Sequence, residues 1–266
     1  MTGVEAIAGA FANRAGAAAL MPYVMGGFPD LAASTAIGHA CVDGGADLLE
    51  LGVPFSDPLA DGPVIHEAGT AALRGGATVD GVLQVCSALA ERVPVVVMCY
   101  ANLVLVRGPE TFAAALRDAG ASGLIVPDLP LEEAPRVLEA CDAAGVALVP
   151  LVAPTTPGDR LAQIGARARG FLYTVAVVGT TGERAELAPG VQDVIARAHA
   201  HTEVPVALGF GISTPRHAAA AAAAGADGVI VASRLVRAAA EAAAEGSDPA
   251  QTVRDLVAGL AAGLAP

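Results

Sequence analysis

Eight short apolar segments recur along the chain, each followed by a longer, often alanine-rich segment, and this alternation constrains the fold most strongly. The predicted strands are residues 19–25, 48–52, 95–100, 123–126, 147–152, 171–175, 206–209 and 228–232. The predicted helices are residues 31–44, 81–92, 111–119, 131–145, 159–169, 190–200, 215–225 and 234–245, with an extra N-terminal helix over 4–13. Regular alternation of strands and helices produces a parallel sheet. Eight units in 266 residues favour a closed (β/α)8 TIM barrel over an open doubly wound sheet, in one domain spanning residues 1–266.

Glycine stands at the end of several predicted helices, directly before the next strand. Because glycine adopts the left-handed conformation without steric cost, it commonly closes a helix at its C-terminus. We therefore expect left-handed caps at Gly45, Gly120, Gly145, Gly170 and Gly225.

Composition and charge exclude several classes of protein. The net charge of −12 argues against nucleic acid and anionic membranes as partners. No clean run of 18 apolar residues exists, since residues 93–106 are interrupted by Pro94 and Asn102, and the N-terminus lacks the basic and apolar regions of a signal peptide. The four cysteines are far apart, so we expect buried thiols in a reducing cytoplasm and no metal site. They are Cys41, Cys86, Cys99 and Cys141.

The second predicted strand ends in an unusual place for a carboxylate. Side chains alternate across a strand, so Glu50 shares a face with Leu48 and Gly52, and burying it without a partner is costly. Asp61 follows eleven residues later, in the connection over residues 54–76, which we predict to be a long loop. Two interpretations remain open: the two carboxylates flank a substrate, or Glu50 pairs with a cation while Asp57 and Asp61 are turn residues. The barrel favours the first, because its functional residues lie where strands end and loops begin.

Two further connections contain small residues suited to ligands. The turns Gly209-Phe-Gly-Ile-Ser213 and Val231-Ala-Ser233 follow the last two predicted strands, where this fold often binds phosphate. The alternative is that Ser213 and Ser233 cap helices, a role compatible with phosphate binding. The connection over 176–189 contains Gly179-Thr-Thr-Gly182, which suits a mobile lid or, alternatively, a plain surface loop.

The segment Leu49-Glu-Leu-Gly-Val-Pro-Phe-Ser-Asp-Pro-Leu-Ala-Asp-Gly-Pro63 resembles the signature of the tryptophan synthase α subunit family. Four further segments resemble family motifs and occur in the family's order. They are Tyr100-Ala-Asn-Leu-Val104, Val126-Pro-Asp-Leu-Pro-Leu-Glu-Glu133, Gly179-Thr-Thr-Gly182 and Gly209-Phe-Gly-Ile-Ser213. The resemblance implies cleavage of indole-3-glycerol phosphate to indole and glyceraldehyde 3-phosphate. It also implies a partner β subunit that carries pyridoxal phosphate, in an αββα heterotetramer, and no cofactor on this chain. Pro54, Asp57 and Pro58 match the family surface that meets the β subunit.

The resemblance assigns roles to individual residues. Glu50 matches the acid/base that protonates indole C3, and Asp61 matches the carboxylate that holds the indole N–H and stabilises the cation. Positions that match the indole pocket are Tyr23, Ile65, Met98, Tyr100, Ile125, Leu151, Tyr173 and Phe210; ordinary barrel core is the alternative, most strongly for Ile125 and Leu151. Thr181 matches a lid threonine that hydrogen-bonds the aspartate, and the phosphate positions are Gly182, Gly211, Ala232 and Ser233.

Several residues depart from the family pattern. Ala176 and Val177 replace polar or cationic residues of the lid, Ala232 replaces glycine, and His66 replaces glutamine. The altered lid and Ala232 leave open a stand-alone lyase that releases indole. A non-catalytic activator of a β subunit is a further alternative, against which the intact Glu50 and Asp61 argue. An unrelated phosphate-binding isomerase of the same fold leaves the signature at residues 49–63 unexplained. We interpret His66 as a solvated loop or helix-start residue, and we assign no chemistry to the remaining histidines, His39, His199, His201 and His217.

Overall fold

The computed structural model describes residues 1–14, 16–175, 190–209 and 211–265. Within them the chain forms nine strands: β1 (Ala19–Met25), β2 (Leu49–Gly52), β3 (Val95–Met98), β4 (Gly123–Ile125), β5 (Ala147–Val149), β6 (Leu151–Val152), β7 (Leu172–Val175), β8 (Val206–Gly209) and β9 (Gly228–Val231). All pairings are parallel, and the strand order is β5-β4-β3-β2-β1-β9-β8-β7-β6.

The two ends of this strand order meet in one short segment of chain. Only Pro150 separates β5 from β6, so together they form the single strand predicted over 147–152. Proline has no N–H to donate, which interrupts the ladder, but the Pro150 carbonyl accepts the Tyr173 N–H at 3.0 Å. The sheet therefore closes into an eight-unit barrel, and the predicted (β/α)8 fold is confirmed.

Twelve helices occur in the described part of the chain. They are α1 (Gly3–Ala12), α2 (Leu31–Asp43), α3 (Pro63–Arg74), α4 (Val79–Ala90), α5 (Ala101–Arg107), α6 (Pro109–Asp118), α7 (Ala134–Ala144), α8 (Gly158–Arg167), α9 (Val191–His199), α10 (Pro215–Ala223), α11 (Ser233–Ala244) and α12 (Pro249–Gly263). Nine of them, including the N-terminal helix, confirm predicted helices with ends shifted by a few residues. The five glycines predicted to cap helices all have positive φ. No described helix is long and apolar enough to span a membrane.

Three helices were not predicted, and one of them corrects the prediction of a continuous loop over residues 54–76. Helix α3 begins at Pro63, where the missing N–H is harmless because the first turn of a helix has no intrahelical acceptor for it. Its Ile65, Ala68 and Ala72 side chains are buried. The loop between β2 and α3 therefore covers residues 53–62. Helices α5 and α12 are the other two.

The barrel interior and the layer between barrel and helices form separate apolar clusters. Leu48 packs inside the barrel with Val96, Ala147 and Phe171, whereas Leu49 and Leu51 belong to the cluster between barrel and helices. This alternation directs Glu50 to the same side as Leu48, as predicted.

The N-terminal helix closes one end of the barrel. Ile7 of α1 is fully buried and Phe11 is 3% exposed, both among the interior residues. The rings of Phe11 and Phe171 lie 5.8 Å apart. The N-terminal end of the barrel is therefore filled by side chains, and the opposite end, where the strands terminate, is left for a ligand.

Candidate active site

Glu50 is buried near the C-terminal end of β2, the position predicted for it. It lies in register with Tyr23 on β1 and Val96 on β3, and it is 2% exposed. Its Oε2 atom has no hydrogen-bond partner among the described residues, and no cation there forms an ion pair with it. Burial, and then the charge of nearby Asp61, raise the pKa of Glu50 to about 8. A carboxyl group with this pKa is mostly protonated at neutral pH and can serve as a proton donor.

Asp61 lies in the loop between β2 and α3, two residues before the helix begins. Partial burial raises the pKa of its carboxyl, while a hydrogen bond from Tyr100 and the charge of His66 oppose that rise. The Tyr100 hydroxyl also accepts the Ala60 backbone N–H at 3.0 Å. Asp61 Oδ1 is buried without a hydrogen-bond partner among the described residues, so the site contains an acceptor with unused capacity. His66 is exposed in the first turns of α3, as the solvated interpretation expected.

Two tyrosines from different strands enter the barrel beside Glu50. Tyr23 on β1 and Tyr173 on β7 are each 5% exposed. Burial raises the pKa of both hydroxyls, and the charge of Glu50 adds to the rise, so both remain neutral donors. A Cβ atom at Gly52 would collide with the Tyr23 hydroxyl, and one at Gly209 with that of Tyr173. Glycine at these two strand ends therefore makes room for the phenol groups.

The remaining residues predicted for the indole pocket fall into two groups. Tyr23 and Ile65 pack in one small cluster, with the partly buried Met98 against it. Ile125, Leu151 and Tyr173 belong to the barrel interior, with Ile125 fully buried. The Tyr100 ring stacks on Phe55 at 5.1 Å. The sequence matched Tyr100 only as a pocket position, and its bonds to the loop after β2 were not predicted. The sequence signal that could have indicated these bonds is a hydroxyl-bearing side chain two residues beyond the end of β3.

The predicted phosphate positions lie at the turns after β8 and β9. Gly211 has φ +83°, and Ser233, 7% exposed, is the first residue of α11. Ala232 precedes that helix, and its side chain makes no capping hydrogen bond. The first N–H groups of α11 are therefore not capped by the preceding side chain. Free N–H groups at a helix N-terminus commonly bind anions.

The capping alternative for the two serines is wrong. Thr214, not Ser213, caps α10, with its hydroxyl accepting the His217 N–H at 3.2 Å. Ser233 lies inside the first turn of α11 rather than before it. Neither serine has the position of an N-cap.

Some predicted residues lie outside the described part of the chain. They are Thr181, Gly182 and Phe210, together with the divergent lid residues Ala176 and Val177.

Comparison with known proteins agrees with this geometry. A family model described as tryptophan synthase alpha chain matches residues 10–264. The tryptophan synthase alpha chain of Prochlorococcus marinus (strain MIT 9313) is 46% identical over 230 residues, covering 86% of this chain and 84% of the relative. That of Synechococcus sp. (strain CC9902) is 45% identical over 232 residues, covering 86% of each.

Solved structures show the same likeness. Tryptophan synthase subunit alpha from Legionella pneumophila str. Paris has a TM-score of 0.89 at 34% identity, covering 99% of this chain and 98% of that one. A chain of Mycobacterium tuberculosis tryptophan synthase, in space group F222, has a TM-score of 0.87 at 38% identity, covering 99% and 97%. The chain therefore belongs to the tryptophan synthase alpha chain family, and it is a lyase that cleaves indole-3-glycerol phosphate in tryptophan biosynthesis.

Proposed function

We propose that Glu50 and Asp61 carry out the cleavage, Glu50 as general acid and then base, Asp61 as the partner of the indole ring. One observation supports this most: Glu50 is buried, unpaired at Oε2, and has a pKa of about 8 beside a second carboxylate. Two carboxyl groups whose environments differ in this way can divide acid and electrostatic roles between them.

The chemistry begins with Glu50 in its neutral form. Its proton goes to indole C3, which converts the ring to an indoleninium ion and creates the electron sink that the substrate lacks. The Asp61 carboxylate accepts the indole N–H and stabilises the positive charge, and the Tyr100 hydroxyl, which lowers the pKa of that carboxyl, helps to keep it ionised.

Cleavage then uses Glu50 in its ionised form. The carboxylate left by the first step removes the proton from the side-chain hydroxyl next to C3. The electron pair of the O–H bond forms the carbonyl of glyceraldehyde 3-phosphate, and the electrons of the C–C bond return to the ring, releasing indole. Glu50 ends protonated, so one group serves the whole turnover.

The substrate's two ends have separate binding regions in this proposal. In one region, the indole ring is surrounded by aromatic and apolar side chains. They are those of Tyr23, Ile65, Met98, Tyr100, Ile125, Leu151 and Tyr173, with Phe210. Gly211, Ala232 and Ser233, with Gly182, bind the phosphate through backbone N–H groups and the N-terminus of α11. Thr181 closes over Asp61. The assignments of Thr181, Gly182 and Phe210 rest on the family resemblance alone.

We also propose a β subunit as partner, in an αββα heterotetramer, with pyridoxal phosphate bound only by that subunit. The supporting observation is a large exposed apolar side chain in the loop that carries Asp61. Leu59 is 80% exposed and directly follows Asp57 and Pro58, which match the family surface that meets the β subunit. Large exposed apolar side chains of this kind are typical of contact surfaces.

We further propose that the chain folds as one domain over residues 1–266 and that it works in the cytoplasm. For the second, the support is that all four cysteines are free and buried.

The experiment is a turnover assay of indole formation from indole-3-glycerol phosphate, with the wild type and Glu50→Gln, each with and without a β subunit. We expect activity in the wild type, stimulation by β, and almost none in the variant. Wild-type turnover that β leaves unchanged would indicate a stand-alone lyase. Stimulation of β by a chain that never turns over would indicate a non-catalytic activator.

A further inference from the structure

His217 is a buried histidine that the proposed chemistry does not use. It lies in the first turn of α10 and is 4% exposed. Ser213 Oγ lies 3.3 Å from His217 Nδ1, within hydrogen-bond distance. The His217 backbone N–H donates to the Thr214 hydroxyl at 3.2 Å. One residue therefore contacts both hydroxyl side chains of the turn that precedes the helix.

That turn is the one that carries part of the proposed phosphate site. It leaves β8 at Gly209, passes through Gly211 with φ +83°, and buries Ile212, which is 4% exposed. Ser213 is only partly buried, in contrast to Ile212. The hydrogen bond to the His217 ring links the Ser213 side chain to α10, the helix that follows the turn.

We propose that His217 is a positioning residue, which holds the turn over residues 211–214 in the shape that binds the substrate phosphate. Backbone N–H groups bind an anion strongly only when their directions are fixed in advance, because ordering a loose turn during binding costs entropy. Because the Ser213 hydroxyl is hydrogen-bonded to the His217 ring, it stabilises the turn and does not bind the phosphate itself. This inference rests on the proposed function, since it assumes phosphate at Gly211 and Ser233.

The test compares a ligand that has the phosphate with one that lacks it. Affinities for glycerol 3-phosphate and for indole are measured by calorimetry for the wild type, Ser213→Ala, His217→Ala and the double variant. We expect each single variant to bind glycerol 3-phosphate roughly 3- to 10-fold more weakly, the range that one lost hydrogen bond produces. Indole affinity stays at the wild-type value. The double variant loses less than the sum of the two single losses, because the Ser213–His217 contact is removed in both single variants.

Two additional measurements separate positioning from general stability. His217→Gln retains a side-chain hydrogen-bonding group and restores at least part of the phosphate affinity, and it also carries the test if His217→Ala does not fold. In turnover, KM rises in His217→Ala while kcat stays within about 2-fold of the wild type, because Glu50 and Asp61 are untouched.

Three results would overturn the proposal. Unchanged glycerol 3-phosphate affinity in both single variants would remove His217 from the site. An equal loss for both ligands would indicate a general structural role, and additive losses in the double variant would show that Ser213 and His217 act separately. A wild type that binds indole but not glycerol 3-phosphate would instead refute the phosphate site itself, and this outcome is distinguishable from the other three.

Discussion

The Tyr100 hydroxyl accepts the Ala60 N–H at 3.0 Å, a hydrogen bond that crosses between two loops of the barrel, one after β3 and one after β2. Ala60 directly precedes Asp61, so this bond fixes the loop beside the carboxylate. The Tyr100 hydroxyl also counteracts the rise that burial causes in the pKa of Asp61. Tyr100 therefore affects both the position of Asp61 and its charge.

Replacing Tyr100 with phenylalanine should weaken catalysis and change its pH dependence. Without the Tyr100 hydroxyl the pKa of Asp61 rises further, so a larger fraction of Asp61 is protonated at acidic pH. The acidic limb of the kcat/KM profile therefore moves to higher pH. A hydrogen bond to a charged group is worth about 1.5–3 kcal/mol, or roughly 10- to 100-fold in kcat/KM. The matched control is Phe55→Leu, which removes the ring stacked on Tyr100 but leaves the hydroxyl. An unshifted acidic limb in Tyr100→Phe would contradict this role.

The raised pKa of Glu50 makes stability depend on pH. Its pKa is about 8 in the folded protein, above the ordinary value of 4.5, so the folded state binds more protons between these limits. The free energy of unfolding therefore falls as pH rises from about 4.5 to about 8, by on the order of 3–5 kcal/mol from this group. Urea unfolding at a series of pH values should show this decline in the wild type, and Glu50→Gln should lack it. Identical slopes in the two proteins would contradict the raised pKa.

The same group sets the alkaline limit of activity. Because the first step needs neutral Glu50, kcat/KM of the wild type should fall above about pH 8. Glu50→Asp, which keeps a carboxyl but shortens its reach, serves as a second probe and should retain an alkaline limb at much lower activity. A wild-type profile that is still rising at pH 9 would exclude a protonated Glu50 as the starting form.

Ile7 should matter for stability and not for chemistry. It is fully buried where α1 fills the N-terminal end of the barrel, away from Glu50. Ile7→Ala removes buried methyl groups and leaves a cavity, at a cost of about 2–5 kcal/mol. Thermal unfolding should shift to lower temperature by several degrees, while kcat below the transition is unchanged. Ala8→Ser, at an exposed position of the same helix, is the control and should have little effect.

The alternation of strands and helices was predictable because it depends on local sequence patterns. Each strand is a short apolar run, and glycines such as Gly145 and Gly225 end helices by a local conformation. Helix α3 was missed since Pro63 and Gly69 resemble loop residues, although proline is favourable in a first turn. Helix α12 follows the last strand, where no further alternation guided the prediction.

The candidate site was only partly predictable, because its contacts join distant parts of the chain. Glu50 was singled out by being a carboxylate on an apolar strand. Its hydrogen-bond-free Oε2 and its coupling to Asp61 depend on loop geometry that no local pattern contains. The same holds for the Tyr100 hydroxyl, 40 residues from Ala60, and for the pair of Ser213 and His217, whose histidine was assigned no chemistry.

The most direct test of the central claim is the rate of indole release by Glu50→Gln with indole-3-glycerol phosphate at saturation, measured beside substrate binding. The amide keeps the shape of the side chain and cannot carry the proton, so we predict substrate affinity close to wild type and a turnover rate lower by roughly 10²–10⁴-fold. Turnover by Glu50→Gln near the wild-type rate, in a folded protein that binds substrate, would contradict the role of Glu50.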